Sequence, residues 1–487
     1  MQPRKQFEPF QKLGDKIFRV PRTEPWRIPL ALVRVPQFKS ISVTAVIWGF
    51  AITIATGAVL LMLPISSQAH EWTYFPDALF MATSATCVTG LSVLESGTHF
   101  SLFGQAVLVV LMQVGGFGFM AGATLLLLAF GRSVGLREKL VIAESMGVER
   151  IGGLVALLLG IAFFTLFCEG IGAVLLYIRF SQDPAFSSPG MALWQSIFHA
   201  VSAFNNCGLD IIGHGNNIMD YQEDPLVVLT IAGLIILGGL SFLVVWDVFK
   251  KRSFRKLSLD SKMVIAVTAI LLIMGTAVLL AMEYNNPDTL GPMSFPQKLL
   301  NAFFHSVTPR TAGFNVIWVG RMTSYSLFFT IMLMFVGGAS GSTAGGVKVN
   351  TFGVLLATVW SSLRGREHAE AFGREMRPQL VYRALTVAML ALGLLGIVTL
   401  VLTITEAHST VDGEPFQFIQ VLFETTSAFG TVGLSTGITP FLTLAGKFII
   451  IATMFAGRLG PLTLALSLVR GQRTTQYRYP QDQVRIG

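Results

Sequence analysis

Charged residues are scarce in this chain: Asp, Glu, Lys and Arg make up 13% of its 487 residues, where soluble globular domains carry about a quarter. With a hydrophobic fraction of 52% and a mean hydropathy of +0.64, that scarcity excludes an ordinary soluble fold. Cysteine is rarer still. Cys87, Cys168 and Cys207 have neither the spacing of metal ligands nor that of a secreted disulfide framework. Of the short signatures of hydrolytic enzymes, HExxH is missing, and the GxSxG pattern occurs only as GRSVG at 131–135 and GLSTG at 433–437. One glycine-rich run, GSTAGGVK at 341–348, resembles a phosphate loop. It places Val347 before its lysine and Val349 after it, where such a loop needs glycine and a hydroxyl residue. These absences argue against an enzyme and against an organic cofactor in this chain.

What the sequence does contain is long apolar runs. About twenty apolar residues are needed to cross a hydrocarbon core of roughly 30 Å, and eight windows qualify: 41–65, 101–130, 151–178, 225–246, 263–282, 322–347, 384–405 and 448–469. Six of them hold no charged residue, the third holds only Glu169 and the eighth only Arg458. A charge at membrane depth calls for a partner or a function. The net charge of +8 is segregated, with 29 of the 35 Lys and Arg in segments 1–40, 131–150, 247–262, 348–383 and 470–487. Eight crossings put those segments on one side, and the basic side is cytoplasmic. Both termini are therefore expected inside a plasma (inner) membrane, the lipid bilayer is the expected surrounding, and no nucleic-acid partner is expected. Loops of the opposite face collect acids, among them Glu95, Asp210, Asp220 and Asp288, which would concentrate cations modestly. Residues 1–40 hold nine basic and three acidic residues, six prolines (among them Pro21, Pro25, Pro29 and Pro36) and no stretch like a signal peptide. They read as a cytoplasmic arm, with docking on a membrane surface or subunit and plain disorder both open.

The chain also repeats itself. Four stretches align without gaps: FMATSATCVTGLS from Phe80, FHAVSAFNNCGLD from Phe198, FFHSVTPRTAGFN from Phe303 and FETTSAFGTVGLS from Phe423. Each has a glycine ten residues after its phenylalanine: Gly90, Gly208, Gly313 and Gly433. Three copies share Ser-Ala, and the third departs with Val307 and Thr308. A looser anchor follows in the next apolar segment, at Gly115-Gly116, Gly238-Gly239, Gly337-Gly338 and Ala456-Gly457. The expected fold is an all-α integral membrane protein of four fused helix–pore loop–helix repeats around one pseudo-fourfold pore, with eight transmembrane helices and four re-entrant pore helices. The repeats span 41–130, 131–250, 251–363 and 364–470, between the arm at 1–40 and a cytoplasmic tail at 471–487. The re-entrant stretches are too short to span, and irregular backbone at membrane depth persists only where protein buries it or water lines it. A plainer alternative is that the glycines only let helices pack closely.

The strips before the glycines suit a monovalent cation. They are Cys87-Val88-Thr89-Gly90, Asn205-Asn206-Cys207-Gly208, Arg310-Thr311-Ala312-Gly313 and Gly430-Thr431-Val432-Gly433. A ring of backbone carbonyls replaces a cation's water without burying a formal charge, and glycine lets backbone approach the ion. Short helices directed inward would add their negative C-terminal ends. Arg310 is the awkward residue. It is expected to point away from the tube as a structural clamp, held by carbonyls or by an acid such as Glu424.

The runs TPRTAGFN at 308–315, SAFNNCGLD at 202–210, SAFGTVGLSTG at 427–437 and GRLGPLT at 457–463 resemble the Trk/Ktr/HKT superfamily of potassium transporters. Eight apolar segments behind a basic N-terminus, without two additional leading helices, are similar to its Ktr branch, the KtrB membrane subunits. The resemblance covers nearly everything from about residue 40 onward. It implies potassium as the transported ion, bound at the filter carbonyls of residues 87–90, 205–208, 311–313 and 431–433, with sodium as a possible activator. It also implies a homodimer with one pore per subunit on a cytoplasmic RCK-type ring (KtrA-like) that binds ATP or ADP. Related plant members that prefer sodium carry serine in the first copy, so Gly90 implies potassium preference.

A gate is expected below the filter. The sixth apolar segment is interrupted by Gly337, Gly338, Ala339, Ser340, Gly341, Ser342, Thr343, Ala344, Gly345 and Gly346, and each glycine there costs a helix about 1 kcal/mol. This stretch should unwind inside the membrane, and broken helices line transport pathways. The resemblance implies a loop that obstructs the pore, held by Arg458. Acceptors expected for Arg458 are carbonyls and hydroxyls of the unwound stretch, including Ser340, Ser342 and Thr343. Glu169 is expected to do no more than satisfy an interhelical hydrogen bond. A transporter coupling potassium to sodium or protons is the rival mechanism.

Overall fold

The computed structural model describes residues 41–118, 154–186, 188–213, 217–411 and 413–460. The arm at 1–40, the whole connection 119–153 and residues 461–487 with the tail lie outside the described residues. Among the described residues the helices fall into four trios. They are α1 (Ile41–Met62), α2 (Phe75–Thr86) and α3 (Leu102–Phe117), then α4 (Leu154–Phe180), α5 (Pro189–Phe204) and α6 (Pro225–Gly239). After α7 (Phe242–Lys251) come α8 (Leu259–Glu283), α9 (Phe295–Val307) and α10 (Ser324–Phe335), then α11 (Val349–Leu363), and last α12 (Pro378–Thr405), α13 (Phe418–Gly430) and α14 (Leu444–Leu459). Two hairpins of two-residue strands flank α12: β1 (Glu370–Ala371) with β2 (Arg374–Glu375), and β3 (Thr410–Val411) with β4 (Glu414–Pro415), both antiparallel.

The middle helix of each trio is short because its sequence starts and stops it. Pro76, Pro189 and Pro296 stand in first turns, where a missing N–H costs nothing. α9 and α13 begin with reciprocal side-chain caps, Ser294 with Gln297 and Gln417 with Gln420. In three of the trios all three helices pack on one another, and in the third α9 and α10 each pack on α8; between trios the last helix of one packs on the short helix of the next: α3 on α5, α6 on α9, α10 on α13, and α14 back on α2. That last contact closes a cycle between the fourth trio and the first. It is fastened by an ion pair of 2.6 Å between Lys447 on α14 and Asp77 on α2.

Burial runs opposite to that of a soluble protein. Phe163 and Leu166 on α4, Ile273 on α8 and Ile397 and Ile404 on α12 are exposed, while Ser84, Thr86, Asn205, Asn206, Thr311 and Thr431 are fully buried. Apolar side chains turned outward around a polar centre are what a hydrocarbon solvent selects. By length and composition α4, α8 and α12 are each able to cross a membrane, and α6 with α7 would do so as a bent pair. The other apolar helices, including α3, α10 and α11, are shorter.

Two apolar windows are broken, one expected as a single segment and one expected to unwind. Window 225–246 bends by 95° between α6 and α7, where Gly238 and Gly239 weaken the helix and their carbonyls are taken by another segment. The Gly239 carbonyl accepts from the Ala339 amide at 2.9 Å, and the Gly238 carbonyl from the Thr343 hydroxyl at 3.0 Å. The second break is the glycine-rich run, where α10 stops at Phe335 and α11 starts at Val349. Between them the backbone is non-helical and returns on itself through a bridge of Val336 with Val347.

Candidate ion pathway

After each short helix the backbone follows one course. The residue two before each strip glycine has positive φ, 55° at Val88, 59° at Asn206, 66° at Thr311 and 50° at Thr431. The glycines follow at 90°, 79°, 74° and 90°. Valine and threonine avoid this left-handed region, so the surroundings must hold them there. In three repeats an amide of the strip returns to the fifth residue before it: Thr89 to the Ser84 carbonyl, Cys207 to Ser202 and Val432 to Ser427, each at 2.8 Å. These serines are the Ser of the repeated Ser-Ala. Their hydroxyls tie the strip again, Ser84 and Ser427 accepting from the amides of Gly90 and Gly433 and Ser202 donating to the Leu209 carbonyl. The third repeat lacks that serine, and Pro309 has no N–H with which to extend α9. There Thr308 substitutes, its hydroxyl donating to the Phe314 carbonyl at 2.5 Å.

The four strips meet. A Cβ placed on Gly90 would lie 2.0 Å from the Cys207 carbonyl oxygen, on Gly208 2.3 Å from that of Ala312, on Gly313 3.0 Å from that of Val432, and on Gly433 2.1 Å from that of Thr89. In every case the neighbour is the carbonyl just before the next repeat's glycine. The order runs first to second to third to fourth and back to first, so the contacts close. All four glycines line one cavity of about 240 Å³, together with Glu95 and Asp210. Burial raises the Asp210 carboxyl to about 6, although it accepts from Asn217 at 3.0 Å.

The non-helical segment 337–346 lies against the opposite end of the strips. The Thr343 hydroxyl reaches the Asn206 side-chain oxygen at 3.1 Å and the Phe204 carbonyl at 3.3 Å. A Cβ on Gly345 would stand 2.0 Å from the Thr431 hydroxyl. Asn206 also donates to the Arg310 carbonyl at 3.2 Å, so one side chain joins two strips and the segment. The hydroxyls of Thr311 and Thr431 are buried without a hydrogen-bond partner among the described residues.

The charged residues resolve as follows. The Arg458 guanidinium donates to the carbonyls of Thr343 and Gly115. The Thr343 carbonyl was an expected acceptor, whereas Ser342 donates to Ala339 and the Ser340 amide to Asn350. The Arg310 guanidinium reaches the Thr268 carbonyl on α8 at 3.1 Å. Of its two expected partners the carbonyl is the one given, since the Glu424 carboxylate accepts from Ser435 at 2.5 Å, the Thr436 amide at 2.9 Å and Thr439 at 2.8 Å. Glu169 does make the expected interhelical bonds, accepting from Asn205 at 2.9 Å and Gln113 at 3.3 Å. Gln113 escaped sequence reasoning, and its position inside an apolar window was the available signal. The close-packing alternative holds for part of the second glycine anchor: Cβ atoms on Gly115, Gly238 and Gly457 would lie within 2.1 Å of the carbonyls of Thr86, Phe204 and Phe429, each four residues before a strip glycine.

An apolar exterior around converging strips and a polar cavity defines a multi-pass membrane transport protein. The model of the family described as TrkH, cation transport protein, matches residues 39–473. The chain is 42% identical to the Ktr system potassium uptake protein B of Bacillus subtilis, covering 90% of this chain and 95% of that protein. It is 40% identical to the potassium/sodium uptake protein NtpJ of Enterococcus hirae, over 90% of this chain and 96% of that one. The crystal structure of the potassium transporter TrkH from Vibrio parahaemolyticus shares the fold, with a TM-score of 0.69 and 17% identity over 90% of this chain and 86% of that one. The chain belongs to the TrkH family, within the Trk/Ktr superfamily, whose members here are cation transporters and not enzymes.

Proposed function

We propose that this protein takes up potassium across the plasma membrane as the ion-translocating subunit of a Ktr-type system. The observation that carries the reading is the closed order of glycine contacts, each backed by the carbonyl of the next strip. Four fused repeats with eight transmembrane helices and four re-entrant pore helices surround one pore on this reading. The strip carbonyls stand in for the hydration shell of a dehydrated potassium ion, which they do without a buried counter-charge. The free hydroxyls of Thr311 and Thr431 offer further oxygen at the inner end. The segment 337–346 is the gate, and Arg458 is its latch. Opening it requires Thr343 to leave Asn206, Gly238 and the Arg458 guanidinium, which suits control from the cytoplasmic side.

The regulatory assembly on this reading is a homodimer on an RCK-type, ATP- or ADP-binding ring, with both termini of the chain cytoplasmic. A sodium-linked mechanism, with sodium as activator or coupled ion, is favoured by the potassium/sodium name of the Enterococcus hirae relative. Uptake in potassium-depleted cells, with sodium as competitor and the reversal potential measured against each gradient, tests the function. Reversal at the potassium equilibrium potential supports a channel, and a shift with the sodium or proton gradient supports coupling. Loss of uptake without the chain and its return with it are expected, and no difference refutes the reading. A single cysteine near residue 255, in a protein without its native three, should react with an impermeant reagent only from inside.

A further inference from the structure

Beside the gate segment lies a feature that potassium conduction leaves unused. From Lys250 to Lys256 the sequence reads KKRSFRK, five basic residues in seven with no acid. It follows α7, the ten-residue helix turned 95° from α6. One face of α7 looks outward, with Leu243 43%, Trp246 58% and Phe249 69% exposed at a helical spacing of three. Phe254 beyond the turn is 47% exposed. The other face is seated. Asp247 pairs with Lys251 at 2.6 Å and accepts from the Ser258 amide and the Ser261 hydroxyl at the start of α8, both at 2.9 Å. Lys250, Arg252, Arg255 and Lys256 are exposed and have no ion pair among the described residues.

The seated face touches the gate segment. Val244 packs with Val264 and Ala339 in one buried cluster. At the bend into α7, the carbonyls of Gly238 and Gly239 hold Thr343 and Ala339. α7 thus has its apolar outer face and its cationic end on one side and the segment 339–343 on the other.

We propose that α7 and the run 250–256 form a binding site for anionic lipid of the cytoplasmic leaflet, and that occupancy holds segment 337–346 docked. The second half rests on the gate reading above. A short helix lying across the direction of its neighbour, with aromatic and aliphatic side chains outward and a basic cluster at its end, suits the interface of acyl chains and headgroups. The charge decides the occupant: unpaired lysines and arginines beside a crossing segment are attracted to anionic headgroups, and phosphatidylcholine offers them no net charge. Lipid held there fixes α7 in the orientation that presents Gly238 and Gly239 to the segment, so it favours the obstructed state.

The test uses the full-length protein in vesicles of phosphatidylcholine alone and of phosphatidylcholine with rising fractions of phosphatidylglycerol, without any regulatory subunit. Potassium flux should fall as phosphatidylglycerol rises, and added salt should reverse the fall by screening. A variant with Lys250→Gln, Arg252→Gln, Arg255→Gln and Lys256→Gln, which spares the Lys251 pair, should keep its phosphatidylcholine flux and lose the dependence. Each charge removed should weaken association roughly fivefold. Independently, brominated phosphatidylglycerol should quench Trp246 more than brominated phosphatidylcholine does, with Trp246→Phe marking that contribution, and the four-residue variant should lose the difference. Protein lacking 339–343 should conduct equally in both vesicles. If wild-type flux ignores phosphatidylglycerol, or the neutralised variant stays sensitive, the proposal falls. If quenching follows the charge but the deleted protein conducts no faster than wild type, the gate reading fails and the lipid site stands. Dependence that arises only when a regulatory subunit is added would assign the run to a protein partner and overturn the lipid site.

Discussion

Replacing the four strip glycines by alanine, one at a time, should not give four equivalent proteins. All four have φ between 74° and 90°, so the left-handed penalty on an alanine, roughly 1–2 kcal/mol, is nearly common to the series. What differs is the neighbouring carbonyl. Ordinary contact begins at 3.4 Å, so the carbonyls of Cys207, Ala312 and Thr89, met at 2.0, 2.3 and 2.1 Å, must each retreat by more than an ångström. The Val432 carbonyl, met at 3.0 Å, gives way by a few tenths. On the proposed filter reading, a carbonyl displaced that far no longer replaces water for the ion, and about 1.4 kcal/mol of lost preference is a factor of ten. Potassium-over-sodium permeability, measured in vesicles with correctly folded protein, should therefore fall about tenfold or more for Gly90→Ala, Gly208→Ala and Gly433→Ala, and within about threefold for Gly313→Ala. Serine at Gly90 meets the same obstacle, which supplies a physical basis for an effect of serine in the first repeat. Equal losses at all four positions, or the largest loss at Gly313, would refute the reasoning, because selectivity would then follow backbone strain and not the neighbouring oxygen.

Three further outcomes are expected. Deleting 339–343 should raise potassium flux without a regulatory subunit, and Arg458→Ala should raise it less, since the segment then loses one anchor and keeps its bulk; permeability ratios should survive both. Asp210, which burial holds near 6, is ionised above that pH and neutral below it; lowering external pH through 6 should raise the potassium concentration for half-maximal uptake, and Asp210→Asn should abolish that dependence. Breaking the Asp77–Lys447 pair by Asp77→Asn should cost roughly 1–3 kcal/mol, read as a lower unfolding temperature in detergent, and exchanging the two charges should recover part of it if attraction is what matters.

The repeats and the membrane class were legible along the chain because both rest on local chemistry. Water rejects long apolar runs wherever they occur, and a strip that must turn left-handed needs glycine at a fixed distance from its helix. The instability of 337–346 as a helix was legible for the same reason. Partners were not. Glu169 finds Gln113, and Arg458 finds the carbonyls of Thr343 and Gly115, only because distant trios pack side by side, while Asn205 reaches Glu169 and Arg310 reaches Thr268 through packing within one trio. Hydrogen bonds depend on distances of a few tenths of an ångström, which no spacing in the sequence encodes. The same holds for the bend between α6 and α7. Gly238 and Gly239 permit it, but an apolar run through Trp246 reads as continuous helix. It takes a second segment, arriving from a hundred residues later to occupy the carbonyls of Gly238 and Gly239, to decide that the helix ends there.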